Sequence, residues 1–445
     1  MPEFAWRSDE RGTSEKRSAP DSQPEITERA YAISLDAAEP LAALAFEFVV
    51  ADDKLIYLDG NSLGRLPRRT RDRLRSVVEH EWGSGLIRSW STWVGEPARV
   101  GDRLGAALLG AGAGQVLVGD NTTVNLYKLA AAAVDEIRAR DPRRTKIVTD
   151  SGNFPTDRYV LEGLAVERGL SLDLVDLPEL EPITADSLAA VLDDRVALLS
   201  LSLVDYRSAA IADLAGVQAA AEAVGAPVVW DLSHAVGAIP VELDAAGATL
   251  AVGCTYKYLN GGPGAPAFLY VRSDWQDRLR QPVWGWFGQA DQFAMGAGYQ
   301  PVAGIGRFGT GTPPMLGVAA VAEGVELLAE AGMAALRSKS IGLTELVVGL
   351  HDAWLVPLGF ALASPRDPAV RAGHISLAHP EAYQACQALI VGGVVPDFRA
   401  PDRLRLGLAP ATTSYVQVWD AMDRLRRIVA SGEHLSYPVE RAAVT

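Results

Sequence analysis

The stretch Val252-Gly-Cys-Thr-Tyr-Lys-Tyr-Leu-Asn-Gly-Gly-Pro-Gly264 decides the fold of this chain. Thr249 to Cys254 is a short apolar run of strand length, and the Gly- and Pro-rich turn after it projects Lys257 from the strand end. A lysine so placed is either a solvated surface residue or an amine that forms a Schiff base with a carbonyl. A second apolar run, Pro227-Val-Val-Trp-Asp-Leu-Ser-His234, ends in Asp231 and carries His234 three residues on. In a parallel α/β sheet the carboxyl ends of the strands border one crevice, so Asp231 and Lys257 arrive on the same rim. Pyridoxal phosphate (PLP) needs that pair: an acid for its protonated pyridine nitrogen and a lysine for its aldehyde.

Outward from this pair, strand and helix patterns alternate. Gln115–Val118, Lys146–Thr149 and Val196–Val204 read as strands, with helices after Asn121, to Glu167 and over Asp213–Val224. That alternation predicts a mostly parallel, helix-covered sheet. Asp120-Asn-Thr-Thr-Val-Asn125 opens an Ala-rich helix, and its hydroxyls and free N–H groups make Thr122 and Thr123 candidate phosphate ligands as well as an ordinary N-cap. From Leu316 the pattern turns to long helices, then strands at His374–Leu377, Val394–Phe398 and Leu404–Leu408, and a helix from Tyr415. The expected fold is α/β, a large domain with a mostly parallel helix-covered sheet plus a small α+β C-terminal domain. The expected division is a disordered tail at 1–25, an N-terminal segment at 26–90 that joins the small domain and the site, a large domain at 91–310 and a small one at 311–445. Arg29–Val50 and Thr70–Glu81 read as helices, and Leu55–Leu58 as a short strand.

Composition narrows the function. The 445 residues are 49% hydrophobic and 22% charged, an ordinary globular balance, and a formal charge of −14 opposes nucleic-acid binding. The two cysteines, Cys254 and Cys386, do not make a disulfide framework, and six scattered histidines without metal spacing predict no metal. No charged-then-apolar leader and no apolar run near 20 residues is apparent, so a cytoplasmic enzyme without a membrane partner is expected. Gly304-Ile-Gly-Arg-Phe-Gly309 matches a dinucleotide fingerprint in letters alone, since no strand precedes it and Thr312-Pro-Pro-Met follows.

Five stretches taken together resemble kynureninase: Tyr57-Leu-Asp-Gly-Asn-Ser-Leu-Gly64, Asn153-Phe-Pro-Thr-Asp157, Trp230-Asp-Leu-Ser-His-Ala-Val-Gly237, Cys254 to Gly264, and Gly285-Trp-Phe-Gly288. The resemblance runs in order from about Tyr57 to the last helix and implies the fold-type-I PLP fold, bacterial type. It implies hydrolysis of the Cβ–Cγ bond of L-kynurenine, or a 3-hydroxy or otherwise substituted relative, to an anthranilate and L-alanine in tryptophan catabolism. By the resemblance Phe154 stacks on the cofactor ring with Asp157 close by. Ser202 matches a cofactor-contacting position; Tyr256 is the candidate to assist proton transfer and contact the phosphate and His234 to orient Asp231 or tune its charge, each being otherwise a buried, satisfied side chain. Ser62 and Trp90 lie beside the substrate and Arg405 forks onto its carboxylate. Trp286 and Thr312 reach the cofactor phosphate of the partner subunit, which implies a homodimer with its active site at the interface.

From the residues alone, Ser62 is equally a turn residue, Trp90 a core aromatic, Asp157 a helix cap and Arg405 the polar face of an edge strand. The departures are Asp205-Tyr206, where the family usually has His or Asn and then an aromatic, Gln289 in place of His, and Ala409-Pro-Ala-Thr412. They bear on the substrate more than on the cofactor. Trp90 with Thr312 resembles the kynurenine-preferring pattern. The alternatives are another fold-type-I enzyme such as a cysteine desulfurase or aminotransferase, a biosynthetic enzyme for a substituted anthranilate, and a non-enzymatic scaffold.

Overall fold

The computed structural model describes residues 24–440, so the expected tail at 1–25 lies outside it but for its last two residues. The first strand, β1 (Ile56–Tyr57), is separate from the large sheet, which comprises β2 (Val116–Val118), β3 (Lys146–Asp150), β4 (Ser171–Val175), β5 (Val196–Ser202), β6 (Val228–Asp231), β7 (Leu250–Gly253) and β8 (Phe268–Val271). Their order is β2-β8-β7-β6-β5-β3-β4. Strands β3 to β7 run parallel, and β8 lies antiparallel between β7 and β2.

Alternation along the strands explains why both faces are covered. Ile147, Leu198, Val229, Val252 and Leu269 face a core completed by the helices Thr122–Arg140 and Pro155–Arg168. Their neighbours Val148, Leu199, Trp230, Ala251 and Phe268 face the opposite core. The fully buried run Ala130–Ala133 has the small side chains that let the first of these helices approach the sheet closely.

The second unit holds the sheet β12-β13-β10-β9, formed by β9 (Ala361–Leu362), β10 (His374–Ala378), β12 (Asp397–Arg399) and β13 (Arg403–Gly407), while β11 (Val394–Val395) pairs in parallel with β1. The N-terminal helix Arg29–Ala38 joins this unit. Its Asp36 carboxylate accepts the Tyr415 and Val416 N–H groups at 2.8 and 2.9 Å, supplementing the Ser414/Gln417 capping box of the helix Tyr415–Ser431.

Several elements differ from the sequence expectation. The helix predicted over Arg29–Val50 stops at Ala38, because Pro40 lacks an N–H and imposes its ring on the preceding turn, and a 3₁₀ turn follows at Ala42–Glu47. The helix from Arg68 changes to π geometry at Val77–Gly85. Helix Met315–Ala331, which a boundary at 310/311 assigns to the small domain, packs through Val318, Val321, Val325 and Leu328 into the large core. Arg405 is on β13, an inner strand between β12 and β10, and not on an edge. Gly304–Phe308 is a 3₁₀ turn with no strand feeding it, as expected for a false fingerprint.

The helical run Met333–Leu358 is long and apolar enough by composition to cross a membrane. It contributes Leu336 to the large core and Leu343, Leu346, Val347, Leu350 and Leu355 to the small one, which accounts for its hydropathy.

Asp36→Ala should destabilise the small unit by about 1–2 kcal/mol, the usual cost of a lost helix cap, and lower the urea midpoint of unfolding followed by circular dichroism.

Candidate active site

The parallel strands deliver their carboxyl ends to one rim. Ser202 pairs in register with Asp231, and Asp231 with Val252, so the carboxyl ends of β5, β6 and β7 lie side by side and Lys257 follows four residues after Gly253. Ser233 ties two of these ends together: its N–H donates to Asp231 Oδ1 at 2.5 Å and its hydroxyl accepts the Cys254 N–H at 3.1 Å. Lys257 is half-buried, with Nζ 2.8 Å from His234 Nε2 and 6.0 Å from the centre of the Tyr256 ring. Burial, and then the charge of Lys257, hold the His234 imidazole well below its usual range, so the ring is neutral.

Asp157, in the first turn of helix Pro155–Arg168, is buried beside Asp231. Desolvation, and then the neighbouring Asp231 charge, push the Asp157 carboxyl well above the ordinary range. Two close carboxyls do not both ionise readily, so Asp157 keeps its proton and donates to Asp231. The Asp157 Oδ2 atom is buried and meets no donor, as suits a protonated oxygen.

On the same side, Asn153 organises the turn before that helix. Its Oδ1 accepts from the Ser202 hydroxyl at 2.8 Å and from the Phe154 N–H at 2.7 Å, and its amide donates to Thr149 Oγ1 at 3.1 Å. Ser202 therefore fixes the loop that presents Phe154. The Phe154 ring meets Tyr206 edge-on at 5.2 Å and leaves a face 39% exposed in residue terms. Thr122 and Thr123 open the 19-residue helix Thr122–Arg140, where the first N–H groups have no partner within the helix and the dipole favours an anion.

A second cluster surrounds Arg405. Its Nε donates to Asp397 Oδ1 at 2.7 Å, Nη2 to Asp397 Oδ2, and Nη1 to the Tyr206 carbonyl. Both side chains of the pair are 1% exposed. Ser62 donates to Asp397 at 3.0 Å and lies 3.5 Å from Arg405 Nη2, and Arg399 adds a second cation at 2.9 Å from Asp397. Burial pushes the Asp397 carboxyl up, but the Arg405 hydrogen bonds and charge outweigh it and hold it below the usual range. Burial, and then Asp397, raise neighbouring Asp59 to about 6. The Ser62 loop and the Arg405 strand thus meet. The loop also reaches the lysine: the Gly64 N–H donates to the Tyr256 carbonyl at 2.8 Å, and a Cβ on Gly64 would come within 2.3 Å of the Lys257 carbonyl oxygen.

Trp90, Trp286 and Thr312 form another group. Trp90 packs on Trp93 and Phe287 at 5.4 and 6.2 Å, Phe287 meets Trp286 at 4.7 Å, and Trp90 and Thr312 line one open groove of about 430 Å³. Among the described residues no hydrogen bond, ion pair or ring contact joins this group to Lys257. The Thr312 loop is anchored instead on the buried Lys128, which donates to Asp120 at 2.6 Å and to the Phe308 carbonyl at 2.8 Å, with Thr310 donating to Asp120 at 2.8 Å.

The departures have structural roles. Asp205 Oδ1 accepts the Arg207 and Ser208 N–H groups and the Ser208 hydroxyl, so its carboxylate caps a turn. Gln289 accepts the Gln300 N–H at 2.7 Å and closes the 289–300 loop. Asn153, Asp397 and Arg399 escaped the sequence reading, although a charged Asp-Phe-Arg inside an apolar strand pattern marked the last two.

The residues present fit PLP. A neutral Asp157 leaves Asp231 as the acceptor for a pyridinium, Phe154 offers a ring face, a helix N-terminus offers anion ligands and Lys257 offers an amine.

A family model described as Aminotransferase class-V matches residues 102–354, and one described as Kynureninase C-terminal domain matches residues 336–425. A kynureninase from Pseudomonas fluorescens is 42% identical over 408 residues, covering 91% of this chain and 96% of that one. A kynureninase from Burkholderia pseudomallei (strain 1106a) is 42% identical over 405 residues, covering 90% and 95%. Among solved structures, a cysteine desulfurase from Thermococcus onnurineus NA1 superposes with a TM-score of 0.74 at 17% identity, covering 85% of this chain and 96% of that chain. A C-DES mutant with glycine covalently linked to its PLP cofactor gives 0.72 at 16%, covering 84% and 97%.

Asp397→Ala should strand the Arg405 charge in the interior and destabilise the fold by about 3–5 kcal/mol, read as a lower urea midpoint.

Proposed function

The chain belongs to the kynureninase family, PLP-dependent hydrolases on the class-V aminotransferase fold, and we propose that it cleaves the Cβ–Cγ bond of L-kynurenine to give anthranilate and L-alanine. What supports the reading is the end-to-end likeness to kynureninases together with Lys257 and Asp231 on adjacent strand ends. PLP, when bound, supplies an electron sink for the carbanion chemistry at the substrate Cα and Cβ.

The chain's residues then divide the work. Lys257 is the amine that holds the cofactor and moves the proton at the substrate Cα, with His234 Nε2 at hydrogen-bonding distance to orient it. Asp231 holds the pyridinium, with the protonated Asp157 beside it. Tyr256 remains a protonated donor, since burial and then the nearby Cys254 raise its hydroxyl above the usual range. Phe154 stacks on the cofactor ring, and Thr122 and Thr123 hold its phosphate, with Ser202 bracing the loop between them. Arg405 and Ser62 receive the substrate carboxylate, and Asp397 and Arg399 fix the guanidinium in place.

Trp286 of the partner subunit and Thr312 of the partner subunit complete the phosphate site in a homodimer. The separation of this group from Lys257 within one chain supports that assignment. Trp90, which lines one groove with Thr312 and so enters the site from the same subunit as Thr312, is the aromatic wall for the aryl ring, which favours kynurenine over 3-hydroxykynurenine.

A cysteine desulfurase reading needs a mobile, accessible thiol. Cys254 and Cys386 are both buried, and burial raises both thiols, Cys386 to about 12.

Lys257→Ala should lower kcat by a factor on the order of 10³ or more and abolish covalent attachment of the cofactor, checked by absorbance and by alanine release. In a comparison of L-kynurenine with 3-hydroxy-L-kynurenine by product fluorescence, the higher kcat/KM should belong to L-kynurenine. The reverse preference would remove Trp90 from its assigned role.

A further inference from the structure

His374 is not accounted for by the chemistry above. It opens β10, pairs in register with Gly407, and is fully buried, yet neither ring nitrogen has a hydrogen-bond partner. The backbone of Tyr206 faces it without a well-formed bond. Its ring lies 5.5 Å from the His234 ring, centre to centre, with the planes tilted by 56°. His234 in turn spends Nε2 on Lys257 and leaves Nδ1 buried without a partner. A third such group is adjacent: the Tyr258 hydroxyl is buried and unpartnered, and it lies 3.2 Å from where a Cβ on Gly373 would stand, next to His374.

Unsatisfied buried polar groups are individually costly and uncommon, so two neighbouring imidazoles and a hydroxyl beside the next residue, all unpartnered, call for a shared partner. Buried water is that partner where two to four polar groups converge. The protonation states agree. The cations Lys257, Arg405 and Arg399 face His234, while His374 meets Arg405 and Lys257 against the single carboxylate of Asp397. Burial, followed by these charges, keeps both rings neutral, with His374 lowered to about 3. A neutral imidazole has one N–H and one bare nitrogen. With the Lys257 nitrogen as the donor of that contact, Nε2 of His234 is the acceptor and the ring proton sits on Nδ1, where it needs an acceptor in turn.

We propose that His374 is a positioning residue for the Lys257–His234 pair: ordered water shared by His234 Nδ1, His374 and the Tyr258 hydroxyl fixes the His234 tautomer and ring, and so aims Nε2 at Lys257. This role needs only the Lys257–His234 contact, and the spectroscopic test below rests on the cofactor reading as well. His374 touches neither substrate nor cofactor and works through His234, as outer hydrogen-bond partners of a reacting group do.

The test has two arms. A high-resolution crystal structure of the wild-type protein without cofactor should show ordered water within hydrogen-bonding distance of His234 Nδ1 and a His374 nitrogen; rings in direct contact, or a dry gap, would overturn the proposal. The second arm titrates the absorbance of the Lys257-bound cofactor against pH in wild type, His374→Phe and His374→Gln. His374→Phe should move the midpoint by about half a pH unit or more, and His374→Gln, which keeps a donor and an acceptor, should stay within about 0.2 unit of wild type. A His374→Phe protein that titrates like wild type sinks the proposal, as does His374→Gln shifting as far as His374→Phe. If the wild type takes up no cofactor, the functional reading above fails separately, and the water between the rings alone decides the role of His374.

Discussion

The buried pair of Arg405 and Asp397 is the interaction on which the site depends. Removing two charges from water costs several kcal/mol for each ion, and their mutual attraction offsets that only when the remaining donors and acceptors are also satisfied. Here Tyr206 supplies a carbonyl from the large unit, Ser62 a hydroxyl from the N-terminal loop, and Arg399 a second cation. The pair is stable only if all three segments are in place. The same requirement brings the Ser62 loop, the small sheet and the rim of the large sheet to one point.

The rim itself is governed by the converse effect, in which low dielectric suppresses charge. Asp157 keeps a proton beside Asp231, and His234 stays neutral beside Lys257. The result is that Asp231 and Lys257 face the same crevice with neutral neighbours that orient them. A site in which every titratable group ionised would carry unpaired buried charges.

Much of this was legible in the sequence because it depends on local pattern. The strands that deliver Asp231 and Lys257, the helix behind Thr122 and the loop before Asp157 each announce themselves through an apolar run and a turn or cap. What stayed hidden depends on pairing between distant segments. The strand Phe268–Val271 was unassigned because nothing in four apolar residues says that they run antiparallel between two parallel strands. The burial of Arg405 is set by register with Asp397, and Asp205 serves as a turn cap only because the chain reverses at Ser208. The Pro40 break was local, and a helix pattern with a proline inside it should have been divided there.

The pairing of β1 with β11 and the capping of the Tyr415 helix by Asp36 have a further consequence for biosynthesis. Asp36 and Tyr415 are 379 positions apart, so the N-terminal helix and strand have no partner until nearly the whole chain has emerged from the ribosome. The large sheet, whose strands are contributed by a continuous middle stretch, can form first. The growing chain therefore carries an exposed apolar segment through most of translation. Aggregation during synthesis, more than instability of the finished fold, is then the hazard that this topology creates.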